Sequence, residues 1–255
     1  MQNFETFVQL HQQHIPLLLG NIWNVQSAKM FEAAGYKAIG TSSMAVANAF
    51  GYDDGEQIPF DILLQLAKRV VETVKIPFTV DVEGGFSRTA EGIIGNIQKL
   101  HDAGVAGINI EDTIAGSTST LQPVTAFEKT LTTVNDYLSR NNIKVYINVR
   151  TDGFLLGMPT ALAETIHRIK RYEATGINGI FVPCITNSNH IKQVVQSTAL
   201  PINVMCMPAL PTFDELTALG VKRISMGAFF FEKVYKNAAT LAQTVANGNL
   251  AALFA

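Results

Sequence analysis

One short pattern recurs along the chain: a helical stretch, a small residue, a glycine, two further residues and then an apolar strand. It reads EAAGYKAIG at 32–40, HDAGVAGINI at 101–110, EATGINGIF at 173–181 and TALGVKRIS at 217–225. Gly35, Gly104, Gly176 and Gly220 each fall where a helix ends through a left-handed residue, a conformation that a Cβ disfavours. The first three lie about two modules apart, at roughly 30–36 residues per β/α module of an eightfold barrel. The repeat therefore predicts strands alternating with helices over the whole chain.

Strands are expected at 17–20, 37–41, 77–82, 106–110, 144–149, 179–182, 201–204 and 222–226. They are short, rich in Val and Ile, and read as apolar on both faces, as in a buried parallel sheet. The intervening segments carry the helical period. In 59–74, Ile62, Leu63, Leu66, Ala67, Val70, Val71 and Val74 form one stripe, and Ile93, Ile94, Ile97 and Leu100 form the next. Eight strands alternating with helices point to an α/β fold, a single TIM-type (β/α)₈ barrel of parallel strands over residues 1–255. A doubly wound open sheet is the rival, but no GxGxxG follows the first strand. No linker or domain boundary is visible, and 255 residues suit one barrel.

Composition bounds the partners. A net charge of −2 with no long basic run gives no footing for nucleic acid. Mean hydropathy is +0.19, yet no apolar run approaches the ~18–20 residues of a membrane span. The first residues lack the basic start and apolar core of a signal peptide. Cys184 and Cys206 make no disulfide framework, so a reduced cytoplasm is the expected address. Charged residues make up only 16% of the chain, which suggests that other subunits cover some surface.

The informative polar residues sit at the C-terminal ends of the expected strands, where barrels of this type carry their chemistry. Asn21 and Trp23 follow strand one; Thr41, Ser42 and Ser43 follow strand two. Asp81 and Glu83 end strand three, Glu111 and Asp112 strand four, Arg150 and Asp152 strand five. Singly, each acid is as easily the N-cap of the next helix, and so are Ser42 and Ser43. Together, carboxylates from neighbouring strands repel unless a cation lies between them, and oxygen ligands suit Mg²⁺ or Mn²⁺. Arg150 offers a planar fork to a carboxylate or a developing oxyanion. Cys184 and Cys206 end strands six and seven and read as inert. His11, His14, His101, His167 and His190 lack metal-ligand spacing and read as surface or structural residues.

At these residues the sequence resembles the isocitrate lyase/phosphoenolpyruvate mutase superfamily, from about Leu17 to the end of strand eight. GTSSMAVANAFGYDDGE is similar to the superfamily's strand-two loop, with Ser42 at its carboxylate-binding Ser and Asp54 at the Asp near the metal. DVEGGFS resembles the D-x-D-T-G-Y-G metal motif through Asp81 and Glu83, GINIED the strand-four acid through Glu111, and NVRTDGF the A-R-T-D-A motif through Arg150. The resemblance implies a Mg²⁺ site at Asp81, Glu83 and Glu111, held mostly through water. It implies substrate contacts at Ser42, Ser43, Trp23 and Arg150, and catalytic roles for Arg150, Asp54 and Ser42. The chemistry implied is stabilisation of an enolate formed as a C–C or P–C bond breaks.

Departures narrow this. Isocitrate and methylisocitrate lyases carry K-x-C-G-H after strand four, whereas TIAGSTSTLQP at 113–123 has no Cys, Lys or His. Phosphonomutases carry Lys and Asn near the positions of Ser117 and Ser119, and a His where Pro183 stands. The expected function is a Mg²⁺-dependent lyase cleaving a C–C bond of a small 2-oxo or 2-hydroxy (di)carboxylate. The alternatives are a phosphonomutase or phosphonopyruvate hydrolase, and a carboxylate-binding barrel without turnover. The 113–123 loop could serve as a lid, and Glu56, Tyr52 or a bound water could carry the proton. From Ala228 an apolar helix and tail could pack on a neighbouring subunit in a dimer or tetramer, or be an ordinary eighth barrel helix.

Overall fold

The computed structural model describes residues 2–114 and 119–254, and its main sheet is a parallel barrel. The strands are β1 (Leu17–Leu18, resumed as Gly20–Ile22), β2 (Ile39–Thr41), β3 (Phe78–Asp81), β4 (Gly107–Glu111), β5 (Tyr146–Arg150), β6 (Gly179–Val182), β7 (Ile202–Met205) and β8 (Arg223–Ser225). Closure runs through β1, expected as one unbroken strand. Leu17–Leu18 pairs with β8, whereas Gly20–Ile22 pairs with β2. Leu19, between the two pieces, donates its N–H to Ile224 O at 2.8 Å. The break lets one strand serve both neighbours in a sheet whose twist would otherwise separate them.

Ten helices are described: α1 (Gln2–Gln12), α2 (Val25–Ala33), α3 (Ser43–Ala49), α4 (Phe60–Val71), α5 (Ala90–Asp102), α6 (Val124–Arg140), α7 (Ala161–Glu173), α8 (Ser188–Gln196), α9 (Phe213–Leu219) and α10 (Phe229–Ala246). The glycine repeat holds. Gly35, Gly104, Gly176 and Gly220 have φ of +88°, +92°, +83° and +88°, each just beyond a helix. On α4, Leu63, Leu66, Ala67 and Val70 are buried against the strands, as their spacing requires. α1, α3 and a small antiparallel hairpin (Thr113–Ile114 with Thr120–Leu121) were not foreseen.

The strands are not apolar on both faces, and this corrects the sequence reading. Ile108 and Ile110 of β4, Ile147 and Val149 of β5, and Ile202 and Val204 of β7 join the large apolar core beneath the helices. The alternate residues meet across the barrel axis. Asn148 donates to Asn109 Oδ1 at 3.0 Å and to Asn203 Oδ1 at 3.2 Å, and Arg223 Nη2 donates to Asn109 Oδ1 at 3.3 Å. The interior is therefore a polar stack that leads up to the strand ends.

α1 seals the N-terminal end. Phe7 is fully buried there with Leu17, Leu19, Ala38, Ala106 and Tyr146. His11 stacks on Tyr146 with ring centroids 4.4 Å apart, and its Nδ1 lies 2.7 Å from Phe7 O. Burial pulls the His11 pKa down to about 3, so this histidine is a neutral structural residue. At the other extreme, α10 buries no residue completely. Its first turns dock Phe230, Phe231 and Val234 on the core, whereas Tyr235 and Leu241 stay exposed. No described helix is long and apolar enough to cross a membrane.

Candidate active site

Residues two apart on a strand share a face, so β3, β4 and β5 deliver Asp81, Glu111 and Arg150 to one end of the barrel. The register sets Asp81 opposite Asn109 and Glu111 opposite Arg150. Arg150 lies between two carboxylates, with Nη1 2.8 Å from Glu111 Oε2 and Nε 2.6 Å from Asp152 Oδ1. Asp152 Oδ2 also accepts from the Thr113 hydroxyl at 2.6 Å. Thr41 Oγ1 accepts from Asp81 N at 2.7 Å, and Asp81 Oδ1 accepts from Glu83 N at 3.2 Å. Glu83 Oε2 accepts from Glu56 N at 2.9 Å. Glu83 has a left-handed backbone, φ 49°, uncommon for a residue with a Cβ. It is held there by Gly85 N donating to Val82 O and by Glu111 N donating to Glu83 O at 2.8 Å. Strain fixed by its surroundings in this way gathers at functional sites.

None of these acids caps a helix. The side-chain caps are Asn24, Ser42, Thr89, Asn187 and Thr212. Asp81, Glu83 and Glu111 are all buried, and one guanidinium faces the group. Burial raises the Asp81 pKa to about 6 against the pull of Arg150. Glu83 is pushed up to about 8, by burial first and then by Asp54 and Asp81. Burial drives Glu111 well above the carboxylate range despite Arg150. Arg150, surrounded by Glu111, Asp152 and Asp81, holds its proton more tightly than a free guanidinium although burial opposes it.

An excess of buried carboxylates over cations is the electrostatic signature of a site for a hard ion. Glu111 Oε2 strengthens it: the atom is buried, paired in charge with Arg150, and accepts no hydrogen bond. Among the described residues, no three His, Cys, Asp or Glu side chains form a ready-made metal cage. Asp81, Glu83 and Glu111 are oxygen donors, the kind that suits a hard ion such as Mg²⁺.

Two contiguous cavities open here, sharing Asp54, Arg150 and Leu155. The first, about 200 Å³, is lined by Ser42, Ser43, Asp81 and Arg150 together with Phe181, Pro183, Met205 and Phe229. The second, about 390 Å³, receives Glu83, Glu111, Asp152 and Ser119. Ser42, Ser43, Asp54, Asp81, Glu83, Glu111 and Arg150 therefore meet at one mouth. Trp23 does not: it is buried against Phe231, centroids 5.3 Å apart, with Phe230 and Tyr235 beside it, and lines neither cavity. It packs under α10. Glu56 accepts from Phe86 N at 2.6 Å and pairs with Arg88 Nη2 at 2.6 Å. Tyr52 is exposed and lines neither cavity. Cys184 and Cys206 are free, and burial raises both thiols. Of the loop expected as a lid, residues 115–118, Ser117 among them, lie outside the described residues.

The sequence reading missed a second network behind the first. Asp112 is fully buried and turned away from the mouth; its Oδ2 accepts from Tyr172 OH at 2.9 Å and from Arg168 Nη1 at 3.1 Å, and its Oδ1 accepts from Asp152 N at 3.3 Å. Arg168 also donates to Gln122 O at 2.9 Å, and Gln122 N donates to Asp112 O at 2.8 Å. One arginine on α7 thus pins the foot of the hairpin and the loop that carries Asp152. The available signal was a lone Arg on the apolar stripe of α7, where an unpaired charge is rare.

The model of one protein family, described as phosphoenolpyruvate phosphomutase, matches residues 7–246. An uncharacterized protein of Mycobacterium tuberculosis is 31% identical over 243 residues, 95% of this chain and 90% of that one. The 2-methylisocitrate lyase of Escherichia coli K12 is 26% identical over 216 residues, 81% of this chain and 72% of that one. Among solved structures, a candidate phosphonomutase of Burkholderia cenocepacia J2315 superposes with a TM-score of 0.90 at 32% identity, over 95% of this chain and 100% of that chain.

Proposed function

We propose that this chain, which belongs to the phosphoenolpyruvate phosphomutase family, is a lyase that breaks a C–C bond of a small 2-oxo or 2-hydroxy acid at the β3–β5 mouth. The observation that carries the reading is the gathering of Asp81, Glu83 and Glu111, all buried, at one mouth whose cavities are lined by a single guanidinium, Arg150, among the described residues. Mg²⁺, or Mn²⁺ in its place, would be held by these three carboxylates, mostly through water, and would supply Lewis-acid stabilisation of the oxyanion formed as the bond breaks.

The chain's own residues do the remaining work. Ser42 and Ser43 hold the substrate carboxylate at the β2 end of the first cavity. Arg150, fixed by Glu111 and Asp152, faces the same cavity with a charge that needs no reorganisation as negative charge develops. Asp54, exposed on the shared wall, is positioned to accept hydrogen bonds from water bound around the ion. The absence of Lys, Cys and His from 113–123 favours this chemistry over isocitrate-type cleavage. We also propose a cytoplasmic homo-oligomer: the exposed apolar residues of α10, Phe229, Tyr235 and Leu241, pack on a neighbouring copy. Light scattering checks this, and a monomer at micromolar concentration contradicts it.

The test of function is turnover of 2-oxo and 2-hydroxy acids with and without EDTA, followed in parallel by ³¹P resonance with phosphoenolpyruvate and phosphonopyruvate. Metal-dependent release of a 2-oxo product supports the reading. A metal-dependent ³¹P change replaces it with P–C chemistry. Binding of an acid without any turnover replaces it with the non-catalytic barrel.

A further inference from the structure

Below the mouth, the barrel interior holds a second guanidinium. Arg223, on β8, is fully buried. Its Nη2 donates to Asn109 Oδ1 at 3.3 Å, while Nε and Nη1 have no hydrogen-bond partner among the described residues. The Phe7 ring lies 5.9 Å from its Cζ. Burial pushes the Arg223 pKa down only to about 10, so the charge is present at neutral pH. A buried cation without an acid beside it costs stability, which makes its one amide contact informative.

The Asn109 amide is oriented from two sides. Asn203 Nδ2 donates to Val204 O, Arg223 O and Ser225 Oγ at 2.7, 3.3 and 3.2 Å. Carbonyl oxygens can only accept, so Asn203 keeps its Oδ1 for Asn148. Asn148 Nδ2 then donates to Asn203 Oδ1 at 3.2 Å and to Asn109 Oδ1 at 3.0 Å. Arg223 can only donate, and so independently requires that the atom facing it be Oδ1. Asn109 Oδ1 is thus doubly engaged, and Nδ2 has no acceptor among the described residues. Asn109 lines the first cavity with Asp81, its register partner on β3, one pleat deeper than Glu111. The Nδ2 protons therefore remain for what the cavity binds.

We propose that Asn109 donates a hydrogen bond to an anionic oxygen of the acid bound in the first cavity, and that Arg223 is the positioning residue that orients and polarises its amide. The inference rests on the proposed acid site and adds a donor to it from below. An amide N–H cannot ligate a cation, and water on a cation presents hydrogens rather than lone pairs. The Asn109 amide thus serves the acid and not the ion. A donor held in place before negative charge develops stabilises an oxyanion without reorganisation.

The experiment is calorimetric titration with Mg²⁺ alone and then with oxalate at saturating Mg²⁺, beside a thermal melt of each ligand-free variant. Asn109→Ala is expected to weaken oxalate about tenfold or more, as for a lost bond to a charged group, and to leave Mg²⁺ affinity unchanged. Asn109→Asp keeps an oxygen for Asn148 and gives Arg223 a carboxylate. It is expected to melt no lower than the natural chain and still to bind oxalate more weakly. Arg223→Met removes a buried unpaired charge, so it is expected to hold the melting temperature while weakening oxalate. That loss is expected to vanish in the Asn109→Ala background, because Arg223 acts through the amide. Unchanged oxalate affinity in Asn109→Ala, or in Asn109→Asp if the alanine variant does not fold, overturns the inference and leaves the acid site standing. Additive losses in the double variant overturn the role of Arg223. Failure of the unaltered protein to bind oxalate removes the acid site itself and the inference with it.

Discussion

Glu111 and Asp112 are neighbours in sequence, both acidic and both buried, and the molecule treats them in opposite ways. Asp112 points outward to α7 and finds Arg168, Tyr172 and the amide of Asp152. Burial lifts its pKa, but Arg168 and the hydrogen bond of Tyr172 pull it back. Glu111 points inward, shares Arg150 with Asp152, and keeps a buried oxygen without a hydrogen bond. One network is complete within the protein; the other is short of positive charge and of donors. The lesson is that a buried acid shows function by what it lacks, and the adjacent satisfied acid calibrates how much the fold could have supplied.

The largest expected effect breaks the complete network. Arg168→Met leaves Asp112 buried without its cation and is expected to cost about 3–5 kcal/mol in denaturant unfolding of the metal-free protein. Glu111→Gln removes a charge that the metal-free fold would rather not bury, so it is expected to be neutral or stabilising in the same assay while turnover is lost. Equal destabilisation by both would erase the contrast.

The next effect is set by pH. Asp81 and Glu83, at about 6 and about 8 when folded, bind protons more tightly than in the unfolded chain. Their contribution to stability is thus fully present below the unfolded value of ~4–4.5 and is lost as pH rises through 6 and then 8. Metal-free protein is expected to lose a few kcal/mol between pH 5 and 8.5. Mg²⁺ should restore stability increasingly over that range, and Glu83→Gln should flatten the upper part. A flat profile for metal-free protein would show that these carboxylates are paired by something else.

A smaller effect separates the fold from the site at Ser42. Its hydroxyl caps α3 through a long bond, 3.4 Å from Ala45 N. Ser42→Ala is expected to cost only ~0.5 kcal/mol in stability, while oxalate affinity with Mg²⁺ falls about tenfold, as the loss of one hydrogen bond to a charged group implies. A thermal melt paired with calorimetry checks both numbers, and unchanged affinity would make Ser42 a cap alone.

Much of this was legible from local signals. A glycine that must be left-handed, as at Gly35 or Gly220, marks its helix end without any distant partner, and Asp81, Glu111 and Arg150 each close a strand at its C-terminal end. What was not legible depended on distant pairing. The polar alternation Gly107-Asn109-Glu111 and Tyr146-Asn148-Arg150 stood in the sequence, but Ile and Val between these residues read as strands apolar on both faces. The interruption of β1 follows from barrel closure against β8. Trp23 looked like a mouth residue by its place after β1, and only the packing of α10 turned it into the core. Arg168 meets Asp112 from 56 positions away, so no local period could have linked them.

The central claim, that a divalent cation held at the β3–β5 mouth completes an acid-binding site, is tested most directly by calorimetric titration of oxalate into the protein with Mg²⁺, with EDTA, and with Asp81→Asn in place of the natural chain. The account predicts saturable oxalate binding with Mg²⁺, none with EDTA, and binding weakened at least tenfold by Asp81→Asn. Oxalate binding of equal strength with and without the metal, or no binding in any of the three, would contradict it.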